Sequence, residues 1–219
     1  MTRYISRFPG SISTSIVLLI CIVLFLWCCD SRKTRLELEF LEGTDMEAVP
    51  SPDGRHIALQ LWSHIWILAI ESGEAHPLTN PISPPDEHWF PRWSPDGEFI
   101  VFYSLRKDEG LFVVPASGGT PRLLTKGEFD FWPSWSPDGR TIVFNRMGSL
   151  YTIQAEGGTL NRIIADTIQA QHPAWSPDGK RIAFSSNGHL SIIAPDGNSL
   201  QKVTTGDSDQ APSWSPDSK

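Results

Sequence analysis

A tetrapeptide, Ser-Pro-Asp-Gly, recurs along this chain of 219 residues at nearly constant spacing. Its four copies begin at Ser51, Ser94, Ser136 and Ser176, and a degenerate fifth copy, Ser-Pro-Asp-Ser, begins at Ser215. The spacing falls gradually from 43 to 39 residues. A period of this length is typical of a repeat architecture. Each copy also predicts a turn, because proline presets φ, aspartate is tolerated next, and glycine accepts the strained position that follows.

The residues around each tetrapeptide recur too. A tryptophan precedes the serine in the later copies, at Trp93, Trp135, Trp175 and Trp214. Apolar residues alternate after the turn, at Ile57/Leu59, Ile100/Phe102, Ile142/Phe144 and Ile182/Phe184. This alternation predicts a strand with one buried face. A second apolar segment, a glycine turn and a short closing segment follow in each unit. Four short antiparallel strands in about forty residues are typical of one β-propeller blade.

We therefore predict an all-β fold, a β-propeller of four-stranded blades spanning residues 46–219. The blades are predicted at residues 46–79, 88–125, 130–165 and 170–205, with a partial fifth unit at 210–219. Residues 30–45 are interpreted as a linker containing an orphan outer strand, because apolar and acidic residues alternate over 36–41. Since this strand and the partial unit are both incomplete blades, the expected ring is truncated or open.

The N-terminal segment differs in composition from the repeats. Arg3 and Arg7 precede an unbroken apolar run, Ile16 to Trp27, which ends next to Cys28 and Cys29. Residues 1–29 are therefore predicted to be an export or anchoring segment. Residues 26–29, Leu-Trp-Cys-Cys, resemble a bacterial lipobox, which implies lipidation of Cys29. An uncleaved transmembrane anchor and a plain cleaved signal remain alternatives, because the nineteen residues from Ser11 to Cys29 are about enough to cross a bilayer.

Charge and residue type exclude several function classes. The net charge of −7 and the lack of a Lys/Arg-rich run argue against nucleic-acid binding. No cysteine follows Cys29, so the repeats carry no disulfide framework. The six histidines show no metal-ligand spacing, and the chain contains neither a Gly-x-Ser-x-Gly elbow nor a Gly-rich phosphate loop. We expect no cofactor, no metal and no catalytic residues.

The candidate binding residues are those that differ from one repeat to the next. The repeat tryptophans are expected to pack between blades, and the turn aspartates to bond their own backbone. The segments before the innermost strands, in contrast, carry varied aromatic and polar residues that should converge near the central channel. These candidates are His88, Trp89, Phe90, Asp130, Phe131, Trp132, Gln171 and His172. The alternative is that their aromatic rings fill gaps between blades.

The fourth unit reads His-Pro-Ala-Trp-Ser-Pro-Asp-Gly-Lys-Arg-Ile-Ala-Phe-Ser-Ser over residues 172–186. This resembles the propeller repeat of the TolB family, the periplasmic component of the Tol-Pal system, and the resemblance covers residues 46–219. The same repeat occurs in the propellers of prolyl-oligopeptidase-like peptidases. The resemblance implies the fold strongly and the function weakly, because one fold hosts many activities.

Two functions are consistent with these observations. The first is a non-enzymatic, extracytoplasmic, membrane-attached propeller that binds or scaffolds a protein partner of the cell envelope. The second is the N-terminal propeller of a prolyl-oligopeptidase-like serine peptidase whose hydrolase domain would follow Lys219. A Gly-x-Ser-x-Gly motif encoded downstream would favour the peptidase, and a stop after two or three further blades would favour the scaffold.

Overall fold

The structure is a computed structural model, and it describes residues 18–22, 36–40, 47–61, 63–79, 87–105, 109–127, 129–165 and 168–218. The chain divides into two compact units, residues 1–44 and residues 45–219. All the regular elements described are strands apart from one helical residue, Ile168. No helix within these ranges has the length and apolar character required to cross a membrane.

The first unit contains one antiparallel pair, β1 (Leu18–Ile22) and β2 (Leu36–Phe40). The sequence predicts β2 as an orphan strand, but here β1 satisfies one of its edges. The apolar β1 and the β2 segment of alternating apolar and acidic residues pair because an isolated strand leaves its backbone N–H and C=O groups without partners. The remainder of residues 1–29, including Cys29, lies outside the described residues, so lipidation and membrane attachment stay predictions.

The second unit contains four antiparallel sheets, each of four strands in sequence order. Sheet 1 comprises β3 (Glu47–Pro50), β4 (His56–Leu61), β5 (His64–Ala69) and β6 (Ala75–Pro77). Sheet 2 comprises β7 (His88–Trp93), β8 (Phe99–Ser104), β9 (Gly110–Pro115) and β10 (Arg122–Leu123). Sheet 3 comprises β11 (Asp130–Trp135), β12 (Thr141–Arg146), β13 (Ser149–Gln154) and β14 (Asn161–Ile164). Sheet 4 comprises β15 (Ala170–Trp175), β16 (Ile182–Ser186), β17 (His189–Ile193) and β18 (Gln201–Lys202).

These four sheets confirm the predicted fold class. Residues 203–218, where the sequence predicts the start of a fifth unit, contain no strand. The fifth turn nevertheless forms, because Ser218 N donates to Ser215 O at 2.9 Å and Ser215 Oγ donates to Asp217 Oδ1 at 2.6 Å.

The first strand of each sheet packs against the sheet before it. Strand β7 contacts β3, β4 and β5; β11 contacts β7, β8 and β9; and β15 contacts β11, β12 and β13. The apolar core consequently lies between sheets. One cluster joins Ile65 and Leu78 of sheet 1 to Ile100 and Phe102 of sheet 2, and two further clusters repeat the pattern at the next junctions. A single blade cannot bury its apolar faces alone, so stacking supplies most of its stability.

The Ser-Pro-Asp-Gly turns are built by the same hydrogen bonds in every full copy. In the third copy, Ser136 Oγ donates to Asp138 Oδ1 at 2.6 Å, and Arg140 N donates to the same oxygen at 3.0 Å. Thr141 N in turn donates to Ser136 Oγ at 2.9 Å. The glycine that follows the aspartate has φ between +68° and +75° in the four copies, a conformation that glycine adopts without steric cost.

The repeat tryptophans connect neighbouring sheets through their indole nitrogens. Trp93 Nε1 donates to Val49 O at 3.0 Å, Trp135 Nε1 to Arg92 O at 3.1 Å, and Trp214 Nε1 to Ala174 O at 2.9 Å. Each acceptor immediately precedes the tryptophan position of the previous unit. Trp135 is 9% exposed, whereas Trp93 and Trp175 are only partly buried. The inter-blade role expected from the sequence is therefore confirmed for the three tryptophans that make this bond.

Replacing Trp135 with alanine should lower the free energy of unfolding by about 3–5 kcal/mol, because it opens a cavity between sheets 2 and 3 and removes the indole hydrogen bond. Urea unfolding followed by circular dichroism measures this loss. Met147→Ala, at a side chain 71% exposed, is the control and should change stability by no more than about 0.5 kcal/mol. Equal stability of the two variants would exclude the packing role of Trp135.

The turn aspartates should make stability depend on pH. The hydrogen bond from Ser136, and next the amide of Arg140, lower the pKa of Asp138 below its ordinary value. The native state therefore favours the carboxylate, and this contribution is complete above the unfolded-state pKa of about 3.9 and is lost as the pH falls through the lower native pKa.

Asp138→Asn should accordingly destabilise the protein most near pH 7, and the difference from wild type should shrink below about pH 4. Urea unfolding at pH 7 and at pH 3 measures both differences. Ser136→Ala is the companion variant, because it removes the main donor to Asp138 and should reduce the same pH dependence. Wild type and Asp138→Asn losing stability in parallel on acidification would contradict this account.

Candidate functional site

The candidate residues on the innermost strands fall into two groups. The first group is buried and supports the fold. His88 and Asp130 are each 0% exposed, and they occupy equivalent positions opposite Ser104 and Arg146. Asp130 receives two hydrogen bonds from Arg146, at 2.5 and 2.7 Å, and one from Thr125 Oγ1 at 2.5 Å. A buried, bidentate ion pair of this kind is a structural group here, because both carboxylate oxygens are engaged.

Two aromatic candidates pack partly into the junction between sheets 2 and 3. Trp89 and Phe131 are half-buried against the cluster that contains Leu124 and Phe144. The ring of Phe131 meets that of Tyr103 edge to face, with 4.9 Å between centroids. The alternative that the sequence left open, aromatic rings filling gaps between blades, therefore describes these two side chains and also part of Phe90, which packs against the same cluster.

The second group stands at a β-bulge that recurs in the innermost strands. The strand registers shift between Trp89 and Arg92, between Phe131 and Ser134, and between Gln171 and Ala174. The residue within each bulge has a left-handed backbone, with φ of 59° at Phe90, 53° at Trp132 and 50° at His172. Such values are uncommon outside glycine, and bulges of this kind redirect a side chain away from its usual face.

The redirected side chains form a continuous row, which we call the aromatic row and define as Phe90, Trp132 and His172. The ring centroids of Phe90 and Trp132 are 5.8 Å apart, and those of Trp132 and His172 are 4.1 Å apart. All three rings are partly exposed. Three sheets that are about forty residues apart in sequence thus place one ring each on a common surface.

A cleft of about 220 Å³ lies beside the aromatic row, and we call it the inner-strand cleft. Its lining includes Arg92, Trp132, His172 and three prolines, Pro133, Pro173 and Pro212. Arg92 Nη1 is 2.6 Å from Glu47 Oε1, and both side chains are about one-third exposed. The cleft is therefore apolar and aromatic along one wall and carries a charge pair near its end, which suits a binding site.

His172 is uncharged at neutral pH. Burial lowers its pKa below 6.5, and the positive charge of Arg92 lowers it further, while Glu47 acts in the opposite direction. His172 Nδ1 lies 3.3 Å from Ser185 Oγ, which itself donates to Gln171 O at 3.1 Å. Gln171 is exposed and contributes its backbone carbonyl to this arrangement. A neutral imidazole tilted against the Trp132 ring presents an aromatic surface rather than a cation.

The sequence-based selection omitted Glu47 and Arg92. Glu47 stands four residues before the turn serine, the position that the aromatic row occupies in the next three units, so alignment of the repeats could have found it. Alignment of the repeats would not have found Arg92, because its ion pair with Glu47 depends on how close sheets 1 and 2 lie. Within the ranges that the structure describes, no three His, Cys, Asp or Glu side chains lie close enough together to hold a metal ion.

Four antiparallel sheets stacked in chain order, with the first strands of sheets 2, 3 and 4 lining a common cleft, define a β-propeller. Comparison with known proteins specifies it further. The chain belongs to the TolB beta propeller domain family, whose match extends over residues 38–219.

Solved structures agree on the fold. A protein assigned as TolB from Agrobacterium tumefaciens has a TM-score of 0.73 and 23% identity, over 84% of this chain and 70% of that one. TolB from Acinetobacter baumannii has a TM-score of 0.64 and 22% identity, over 83% of this chain and 48% of that one. An oligogalacturonate lyase in complex with manganese has a TM-score of 0.61 and 14% identity, over 77% of this chain and 56% of that one. No curated protein matches the chain.

The electrostatics of the inner-strand cleft can be tested by titration. Arg92→Gln should raise the pKa of His172, because it removes the nearby positive charge and leaves Glu47. Glu47→Gln should lower that pKa, because it removes the opposing charge. An NMR titration of the His172 ring, assigned with His172→Asn, measures both shifts. Shifts of the same sign in the two variants would contradict this geometry.

Proposed function

We propose that the protein is a non-enzymatic, extracytoplasmic propeller that binds a partner protein through the aromatic row and the inner-strand cleft. The observation that carries this proposal is the row itself, in which Phe90, Trp132 and His172 are held side by side on three successive sheets. Aromatic side chains are enriched in protein interfaces and among the residues that dominate binding energy.

The backbone of the row supports the same proposal. Phe90, Trp132 and His172 have φ between 50° and 59°, and such conformations cost about 1–3 kcal/mol each in residues other than glycine. Strained backbone concentrates at ligand-binding positions, where the surrounding structure holds it in place. Each of the three strands pairs with the next strand of its sheet and packs against the preceding sheet, so the rings are presented rigidly, which reduces the entropy lost on binding.

The chemistry of the inner-strand cleft favours an apolar or aromatic segment of the partner. The row and the adjoining prolines offer ring faces and aliphatic surface, and Arg92 with Glu47 can orient a polar group at the end of the cleft. His172 adds no positive charge at neutral pH, so the affinity would depend on stacking and burial more than on charge.

The location of the protein is part of the proposal. Membership of the TolB family and the apolar run at residues 16–27 support a position outside the cytoplasm with attachment through the N-terminal segment. Cys29 is the proposed lipidation site. The absence of a Gly-x-Ser-x-Gly motif from all 219 residues supports a binding role over catalysis by this chain.

Site-specific photo-crosslinking tests the proposed binding surface. A benzophenone amino acid at position 132, in the native host, should give one discrete crosslinked partner. The matched control is the same probe at position 203, a side chain 55% exposed on sheet 4, and it should not give this product. The same adduct from both positions would contradict the proposal.

Purified components then measure affinity. Trp132→Ala should weaken binding of the crosslinked partner at least about tenfold, because central aromatic residues commonly contribute 2 kcal/mol or more. Isothermal titration calorimetry measures the change, with Val203→Ala as the control. Unchanged affinity of Trp132→Ala would exclude the aromatic row as the binding surface.

A further inference from the structure

A second cleft, of about 410 Å³, lies between sheets 1 and 2, and we call it the turn-side cleft. It shares no lining residue with the inner-strand cleft. Two successive Ser-Pro-Asp-Gly turns contribute Asp53 and Asp96 to its wall, and Trp93, His56 and His76 complete much of the lining. The repeat allows this cleft to be compared with equivalent places in the same molecule.

At the next junction, an arginine joins the two sheets at the corresponding place. Arg122 Nη2 donates to Ala155 O at 2.7 Å, and its Nη1 donates to Glu156 O at 3.2 Å. Arg122 lies opposite Val113 in sheet 2, and His76 lies opposite Ile67 at the same position of sheet 1. The turn-side cleft therefore has a histidine where the next junction has a bridging arginine.

The acceptor side of this bridge has a counterpart in the turn-side cleft. Ala155 N donates to Arg140 O, and Ala116 N donates to Glu98 O, so Ala116 is the equivalent of Ala155. Ala116 and the following Ser117 both line the cleft. Imidazole is shorter than an arginine side chain and has at most two donors, so His76 cannot reproduce a bridge with two donors directed at neighbouring carbonyls.

A second guanidinium, just before the second strand of sheet 4, stands at the position that corresponds to another part of the turn-side cleft. Arg181 stacks on the repeat tryptophan of the fifth unit, with its Cζ 4.8 Å from the ring centroid of Trp214. Trp93 is the equivalent tryptophan in the turn-side cleft. His56 is the equivalent of Arg181, since the amide of each donates to its turn serine at 2.9 Å. His56 and Trp93 are farther apart, with 6.5 Å between ring centroids.

The charge of the cleft favours a cation. Hydrogen bonds from Ser51 and from the amide of Arg55 lower the pKa of Asp53, and those from Ser94 and the amide of Glu98 lower the pKa of Asp96. Both carboxylates are therefore ionised at neutral pH. At this junction, histidines stand at two positions that each carry an arginine in one other unit, Arg122 in sheet 2 and Arg181 just before the second strand of sheet 4.

We propose that the turn-side cleft binds a guanidinium group, which stacks on Trp93, donates to the backbone carbonyls of Ala116 and Ser117, and is attracted by Asp53 and Asp96. The guanidinium belongs either to an arginine within a peptide or to a small free compound, and the chemistry of recognition is the same for both. This inference is independent of the partner-binding role of the aromatic row.

Titration of the full chain with Nα-acetylarginine amide tests the proposal. With ¹⁵N-labelled tryptophan, the indole N–H signal of Trp93, identified by its absence in Trp93→Phe, should shift with increasing ligand. The signal of Trp132 should not shift. Nα-acetylcitrulline amide, which has nearly the same shape without the charge, should leave Trp93 unchanged. An equal shift with citrulline, or with Nα-acetyllysine amide, would overturn recognition of guanidinium.

A variant of the cleft itself supplies the second test. His76→Arg should place an internal guanidinium where Arg122 stands at the next junction, and should weaken binding of Nα-acetylarginine amide at least about tenfold. Gln201→Arg is the matched control, because Gln201 holds the same register position in sheet 4, opposite Ile192, and this variant should bind like wild type. Wild-type affinity in His76→Arg would overturn the assignment.

The source of the guanidinium is distinguished by comparing methylguanidinium with the blocked tripeptide Gly-Arg-Gly. Tighter binding of the tripeptide supports an arginine held in a peptide chain, since backbone groups then add contacts. Equal affinity supports a small free compound. No shift of the Trp93 signal with either probe at millimolar concentration would refute the proposed site.

Discussion

The contact on which this structure most depends is that of each repeat tryptophan with the preceding sheet. The indole packs in the junction between sheets, and in Trp93, Trp135 and Trp214 its N–H donates to a carbonyl in the first strand of the earlier blade. One side chain thereby supplies both apolar burial and a directional bond. Because each sheet exposes apolar faces that it cannot cover alone, this contact converts four marginal sheets into one stacked core.

The turns and the tryptophans set the geometry, and the bulge residues then determine what the surface can bind. Positions that maintain the stack are nearly the same in every unit, while the position four residues before the turn serine varies from Glu47 to Phe90, Trp132 and His172. The stack therefore acts as a scaffold that holds varied side chains in a fixed row. The turn-side cleft also differs from its equivalents through a few varied side chains. His76 and His56 stand at the positions that Arg122 and Arg181, respectively, occupy in other units.

Much of the architecture could be predicted from the sequence. The Ser-Pro-Asp-Gly period and the alternation after each turn predicted four-stranded sheets, because turn chemistry and strand periodicity are local properties. The candidate site was only partly predictable. His88 and Phe90 are two residues apart, yet His88 is fully buried and Phe90 is partly exposed in the aromatic row, since the bulge reverses the usual alternation.

The sequence by itself determined the repeat, its turns and the positions that vary, because these depend on residue type at fixed spacing. Only the tertiary structure decided which variable residues meet. The contact of Trp132 with His172, the ion pair of Glu47 with Arg92, and the bridge from Arg122 to Ala155 join residues 33 to 45 positions apart in neighbouring sheets. Such contacts depend on the angle and distance between sheets, which are set by packing across each junction and are not encoded in any one repeat.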